Sequence, residues 1–223
     1  MRWIRESSLS IFFLVIFLLA LVGQSIAGVR AYNEEQLAHG SETLAYGRYL
    51  VSSDFGGKVL ENWQSEWLQF VVFALATVWL LQKGSNESKP LDQAGLESDQ
   101  KQKIGGYADE RSPVWAKTRG WRTRVYENSF LIAMLVIFLS SLLVQSITNW
   151  NEYNAEQEEH DQPTIGWTAY LARADFWDKT LQNWQSEFLA VGAMAVFTIY
   201  LRQRGSPESK PVGAPHDETA SSG

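Results

Sequence analysis

The chain contains the same unit twice. Displaced by 121 residues, Glu6–Pro90 aligns with Glu127–Pro211 without a gap, and 40 of the 85 pairs are identical. A tandem repeat of this length constrains the fold before any other feature does, because whatever one copy builds the other must be able to build. The identities cluster: Gln24-Ser25-Ile26 returns as Gln145-Ser146-Ile147, Asn62-Trp63-Gln64-Ser65-Glu66 as Asn183-Trp184-Gln185-Ser186-Glu187, and Glu87-Ser88-Lys89-Pro90 as Glu208-Ser209-Lys210-Pro211. Tyr32-Asn33, Glu35, His39 and Asp54-Phe55 likewise match Tyr153-Asn154, Glu156, His160 and Asp175-Phe176.

Each copy holds two apolar blocks, Leu9–Gly23 with Trp67–Leu81 and Phe130–Val144 with Phe188–Leu201, separated by strongly polar sequence. A mean hydropathy of −0.19 would suit a soluble domain, but the average hides this segregation. Four uninterrupted apolar runs leave too little amphipathic sequence to cover them. Extended to Val29 at one end and begun at Trp63 at the other, the runs reach the roughly 20 residues that cross a hydrocarbon core of about 30 Å. The expected fold is therefore all-α, a four-transmembrane-helix bundle made of two tandem parallel helical hairpins. Residues 1–90 form the first membrane repeat, 91–120 a solvated cytoplasmic linker, 121–211 the second repeat and 212–223 a disordered tail. Gly84 and Gly205 are expected helix terminators. Arg2, Arg5 and the following apolar stretch imitate a signal peptide, but the duplicate block lies mid-chain, where no signal peptide acts.

Lys and Arg counts orient the chain. The N-terminus, Gln82–Val125 and the tail carry 2, 9 and 3, whereas the hairpin loops Arg30–Glu61 and Asn149–Ser186 carry 3 and 2. A multi-pass protein of the cell membrane with both termini cytoplasmic follows. The bilayer is the first partner, and a second copy or another membrane protein is a further one. A net charge of −6 with scattered basic residues excludes a nucleic-acid footprint. With no cysteine, disulfides and thiolate metal sites are excluded. Phosphate loops, dinucleotide fingerprints and HExxH are absent, and Gly23-Gln24-Ser25-Ile26-Ala27 loses its flanking small residues in the second copy, which disfavours a hydrolase.

Depth picks out the candidate site. Gln24 and Glu66 each lie 15 residues from the inner end of their block, about 22 Å up, and Gln145 and Glu187 repeat that level. A carboxylate inside the outer leaflet is costly and faces protein or a water cavity. Asn62, Glu66 and Thr77 share one helical stripe, as do Asn183, Glu187 and Thr198, and both stripes are expected to face inward. Glu35 with His39 and Glu156 with His160 form paired carboxylates and imidazoles just outside the membrane, candidate ligands for a divalent metal. Trp63, Trp67 and Trp184 read as an interfacial belt.

The Gly23-Gln24-Ser25 helix end, the Tyr32-Asn33-x-Glu35 stretch and the duplicated Asn62-Trp63-Gln64-Ser65-Glu66 block resemble an uncharacterised bacterial family of integral membrane proteins, a domain of unknown function. The resemblance covers Trp3 to Pro211 and implies location and topology but no activity. Three readings of function remain open. One is a non-enzymatic protein, without cofactor, that binds or passes a proton, cation or small cationic solute at a carboxylate-lined pocket. Another is a metal-dependent oxidoreductase using the Glu and His ligands. The last is a non-catalytic scaffold or accessory subunit.

Overall fold

The structure is a computed structural model that describes residues 2–220. It is all-helical, with no strand among the described residues. In chain order the helices are α1 (Arg2–Glu6), α2 (Ser8–Ala38), α3 (Tyr46–Tyr49), α4 (Ser53–Trp79), α5 (Val114–Lys117), α6 (Trp121–Glu127), α7 (Ser129–Glu159), α8 (Trp167–Tyr170) and α9 (Ala174–Tyr200). The 121-residue displacement carries α2 onto α7, α3 onto α8 and α4 onto α9, end for end.

Helices α2 and α7 are long and apolar enough to cross a membrane, and they are the helices among the described residues that meet that test. Only 6% and 22% of their most apolar stretches are buried by the rest of the chain. Four such helices were expected. Helix α4 stops at Trp79, before the end of its apolar block at Leu81, and carries Gln64, Glu66 and Gln69 within membrane length. Helix α9 likewise stops at Tyr200 and carries Gln185 and Glu187. Gly84 and Gly205 do adopt left-handed backbone, φ +85° and +80°, but lie beyond the last helical residues.

The chain divides into two compact units. The first comprises residues 1–60 and 144–170: α1, α2, α3, the start of α4, the second half of α7 and α8. The second comprises residues 61–143 and 171–223.

In the second unit, the segment after α4 is bonded back to that helix. Gly95, at φ +97°, donates its N–H to the Val78 carbonyl at 2.7 Å, and a Cβ there would meet the Trp79 ring at 2.9 Å. Lys89 holds the same turn, donating to the Gly95 carbonyl at 3.0 Å and pairing with Glu97 at 3.5 Å. Residues of the tail up to Ala220 also make bonds within this unit, and its last three residues lie outside the described ones. Lys210, 1% exposed, donates to the carbonyls of Pro215, His216 and Glu218, each at 3.0 Å. Thr219 accepts the Gly84 N–H at 2.9 Å. Backbone donors and buried ammonium groups need partners, and these polar segments supply them to each other.

Candidate functional site

In the first unit both copies close the loop after their first helix in the same way. The Asn33 amide donates to the Leu44 carbonyl at 2.9 Å and accepts the Leu44 N–H at 2.7 Å. Asn154 does the same for Ile165, at 3.0 Å in each direction. A side-chain amide presents one donor and one acceptor, so it can replace a whole rung of backbone pairing. Ser25 bonds the Tyr46 hydroxyl at 2.8 Å, and the Trp167 indole donates to Ser146 at 3.1 Å. Tyr49 and Tyr170, repeat equivalents, are both fully buried, with rings 5.8 and 5.5 Å from Tyr32 and Tyr153. Tyr49 donates its hydroxyl to Asp54 at 2.9 Å, and Lys58 pairs with the other Asp54 oxygen at 2.6 Å.

The same unit holds a cavity of about 340 Å³ at the ends of α2 and α7. Helix α2 contributes Tyr32, Glu35 and Gln36, spaced i, i+3, i+4 and therefore on one face, with His39 just past its end. Helix α7 brings Glu152, Glu156 and Glu159 along one stripe, with His160 at its end, and the start of α4 adds Asp54. Both Glu–His pairs read from the sequence thus face one space. Five carboxylates line it, and no Lys or Arg is among the lining residues. The field is felt by Tyr32, which lies beyond the expected membrane span: burial raises its phenol above the ordinary value, and the charges of Asp54, Glu159, Glu152 and Glu35 raise it further. Burial, followed by its bond to Asp54, pushes the Tyr49 phenol up more strongly. Glu35, His39, Glu156 and His160 are nevertheless water-exposed. Among the described residues no three acidic or imidazole groups are gathered to hold a metal ion.

The four residues of the expected polar shelf are divided between the two units. Gln24 and Gln145 belong to the first unit, Glu66 and Glu187 to the second. Gln24 is exposed, whereas Gln145 is fully buried. In the second unit, Glu66 and Glu187 are close enough for their charges to act on each other, but Glu66 is exposed and Glu187 half-buried. On α4 the three residues of the expected inward stripe differ in burial. Asn62 and Glu66 are exposed and Thr77 half-buried, bonding back to the Phe73 carbonyl at 2.8 Å. The buried members of the motif are Gln64 (0% exposed) and Ser65 (1%), and Gln64 accepts the Trp184 indole N–H at 2.8 Å. Gln64 lies about 200° around the helix from Asn62, so burying one exposes the other. On α9, Asn183 and Glu187 are half-buried and Thr198 is buried, 3.2 Å from the Ser85 hydroxyl. Reading the sequence missed Gln64, Tyr49 and Lys210 as buried anchors, although each sits at a position identical in both copies.

The fold and site define an all-helical protein with two helices able to span a membrane and an acidic cavity at one end of both. The chain belongs to the family described as a domain of unknown function (DUF6766), whose profile matches residues 1–221. No curated protein and no solved structure matches it.

Proposed function

We propose that this is a multi-pass membrane protein that binds a small organic cation at its outer end. Helices of 31 residues are about 46 Å long, so α2 and α7 cross a core of about 30 Å and still project beyond it. Their apolar sides, largely uncovered by the chain, need lipid. Helix α7 lies mid-chain, which argues against a signal sequence, and its low burial argues against a soluble core helix. On this reading α4 and α9 complete the two hairpins, the basic segments lie in the cytoplasm, and the cavity opens outside.

The observation that carries the proposal is the cavity itself, with Glu35, Asp54, Glu152, Glu156 and Glu159 on its walls and no Lys or Arg to neutralise them. A divalent metal is the weaker fit, because it demands several oxygen ligands within about 2.6 Å. About 340 Å³ suits a solute of several heavy atoms. The chemistry required is capture rather than reaction: carboxylates attract and pair an ammonium group, and Tyr32 offers it a ring face.

Binding of tetramethylammonium and 1,4-diaminobutane to protein in nanodiscs tests this, by calorimetry. Glu35→Gln with Glu156→Gln should weaken binding about tenfold or more, two partly exposed charge contacts being removed. Wild-type protein that takes up neither amine, or a double variant that binds both equally well, would refute the cation site. Topology is tested separately. With no native cysteine, Ser41→Cys and Ser98→Cys each place one thiol in the chain. An impermeant maleimide should label the first in intact cells and the second only after permeabilisation.

A further inference from the structure

A second cavity, of about 590 Å³, lies within the second unit, bordered by the end of α4, the turn after it and the start of α7. Its lining is mixed. Leu75, Val78, Trp79, Phe130 and Leu131 are its apolar lining, and Glu97, Asp99, Glu127 and Lys89 its charged lining. Lys89 is committed to Glu97 and to the Gly95 carbonyl, which leaves Asp99 and Glu127 as exposed acids at the rim. Leu75, Trp79 and Phe130 remain 48%, 61% and 58% exposed, a cluster that water covers poorly.

We propose that this cavity binds a single-chain amphiphile with a cationic head. The alkyl chain lies along Leu75, Val78, Trp79 and Phe130, and the ammonium faces Asp99 and Glu127. An anionic head is excluded by the surplus of carboxylates at the rim, and a neutral head leaves that charge unmatched. Helix ends bearing Trp79 and Phe130 suit a lipid boundary, a placement that rests on the membrane reading above. Occupancy of the cavity does not depend on the outer cation site.

Trp79 is the reporter. Protein in maltoside micelles is titrated with bromododecyltrimethylammonium, and quenching absent from Trp79→Phe is assigned to Trp79. Saturable quenching is expected, weakened about tenfold in Asp99→Asn with Glu127→Gln, both exposed positions at which folding should persist. Glu35→Gln should leave it unchanged, separating this site from the outer one. Equal quenching by bromododecyl sulfate, or an unaltered titration in the double variant, would overturn the proposal. So would Leu75→Trp, which should fill the cavity, leaving binding intact.

Discussion

Replacing Asn33 by alanine should open the loop between α2 and α3, and by more than Asn154→Ala opens its counterpart. Asn33 makes two bonds to Leu44, at 2.9 and 2.7 Å, and its removal leaves a partly buried N–H and carbonyl without their clamp. At about 1 kcal/mol net per bond the loss is about 2 kcal/mol. Asn154 also makes two bonds, but the Ile165 carbonyl keeps the Trp150 indole as donor at 2.7 Å. Its loss should therefore cost about 1 kcal/mol. The amides of Tyr49 and Tyr170 read these openings, being bonded to the Ala45 and Gly166 carbonyls rather than to the deleted side chains. Hydrogen exchange in micelles should accelerate about thirtyfold at Tyr49 in Asn33→Ala and about fivefold at Tyr170 in Asn154→Ala. Unchanged exchange at Tyr49, or a larger effect in the second copy, would show that the amide clamps do not hold these loops.

A Cβ on Gly28 would collide with the buried Tyr49 hydroxyl, so Gly28→Ala should lower thermal stability by about 1–3 kcal/mol. Gly23→Ala, with nothing within 4 Å of the new methyl, should gain about 0.5–1 kcal/mol from helix propensity; equal melting shifts would discredit the contact. Of the 8 tyrosines, Tyr32 and Tyr49 should ionise late in an alkaline absorbance titration, and Tyr49→Phe should delete one late component. Because their folded phenols titrate above the ordinary value of 10.0, the stability they contribute is full below that pH and is lost as pH rises through the folded values. A single tyrosinate transition at the ordinary midpoint would contradict this. The Glu87 carboxyl is raised first by burial and then by the charge of Glu208. Its ionisation thus opposes folding as pH climbs past the folded value, and Glu87→Gln should raise the melting temperature at pH 7 but not near pH 4. A gain of the same size at both pH values would rule out ionisation as the cause.

Much of the framework was legible because it is local. The 121-residue displacement carries over to the helix ends, since identical sequence meets identical backbone preference, and α2 with α7 announce themselves by hydropathy alone. The Glu35–His39 and Glu156–His160 pairs were visible as i, i+4 neighbours, and their helical spacing already put each pair on one face.

What the sequence could not decide was which face meets a neighbour. Periodicity assigns Asn62 with Glu66 to one side of α4 and Gln64 to the other. The Trp184 indole N–H, donated to Gln64, comes from 120 residues away and settles which side is buried. The same holds for the cavity: Asp54 joins Glu35 and Glu156 only because Tyr49 and Lys58 hold its carboxylate there. Neither the turn around Gly95 nor the tail held by Lys210 has an apolar period of its own. Their order comes from backbone carbonyls seeking donors, which composition does not record. Sequence determined the repeat and its helices, because those depend on residues close along the chain; burial and the acidic cavity came from tertiary structure, because they depend on partners that only folding brings near.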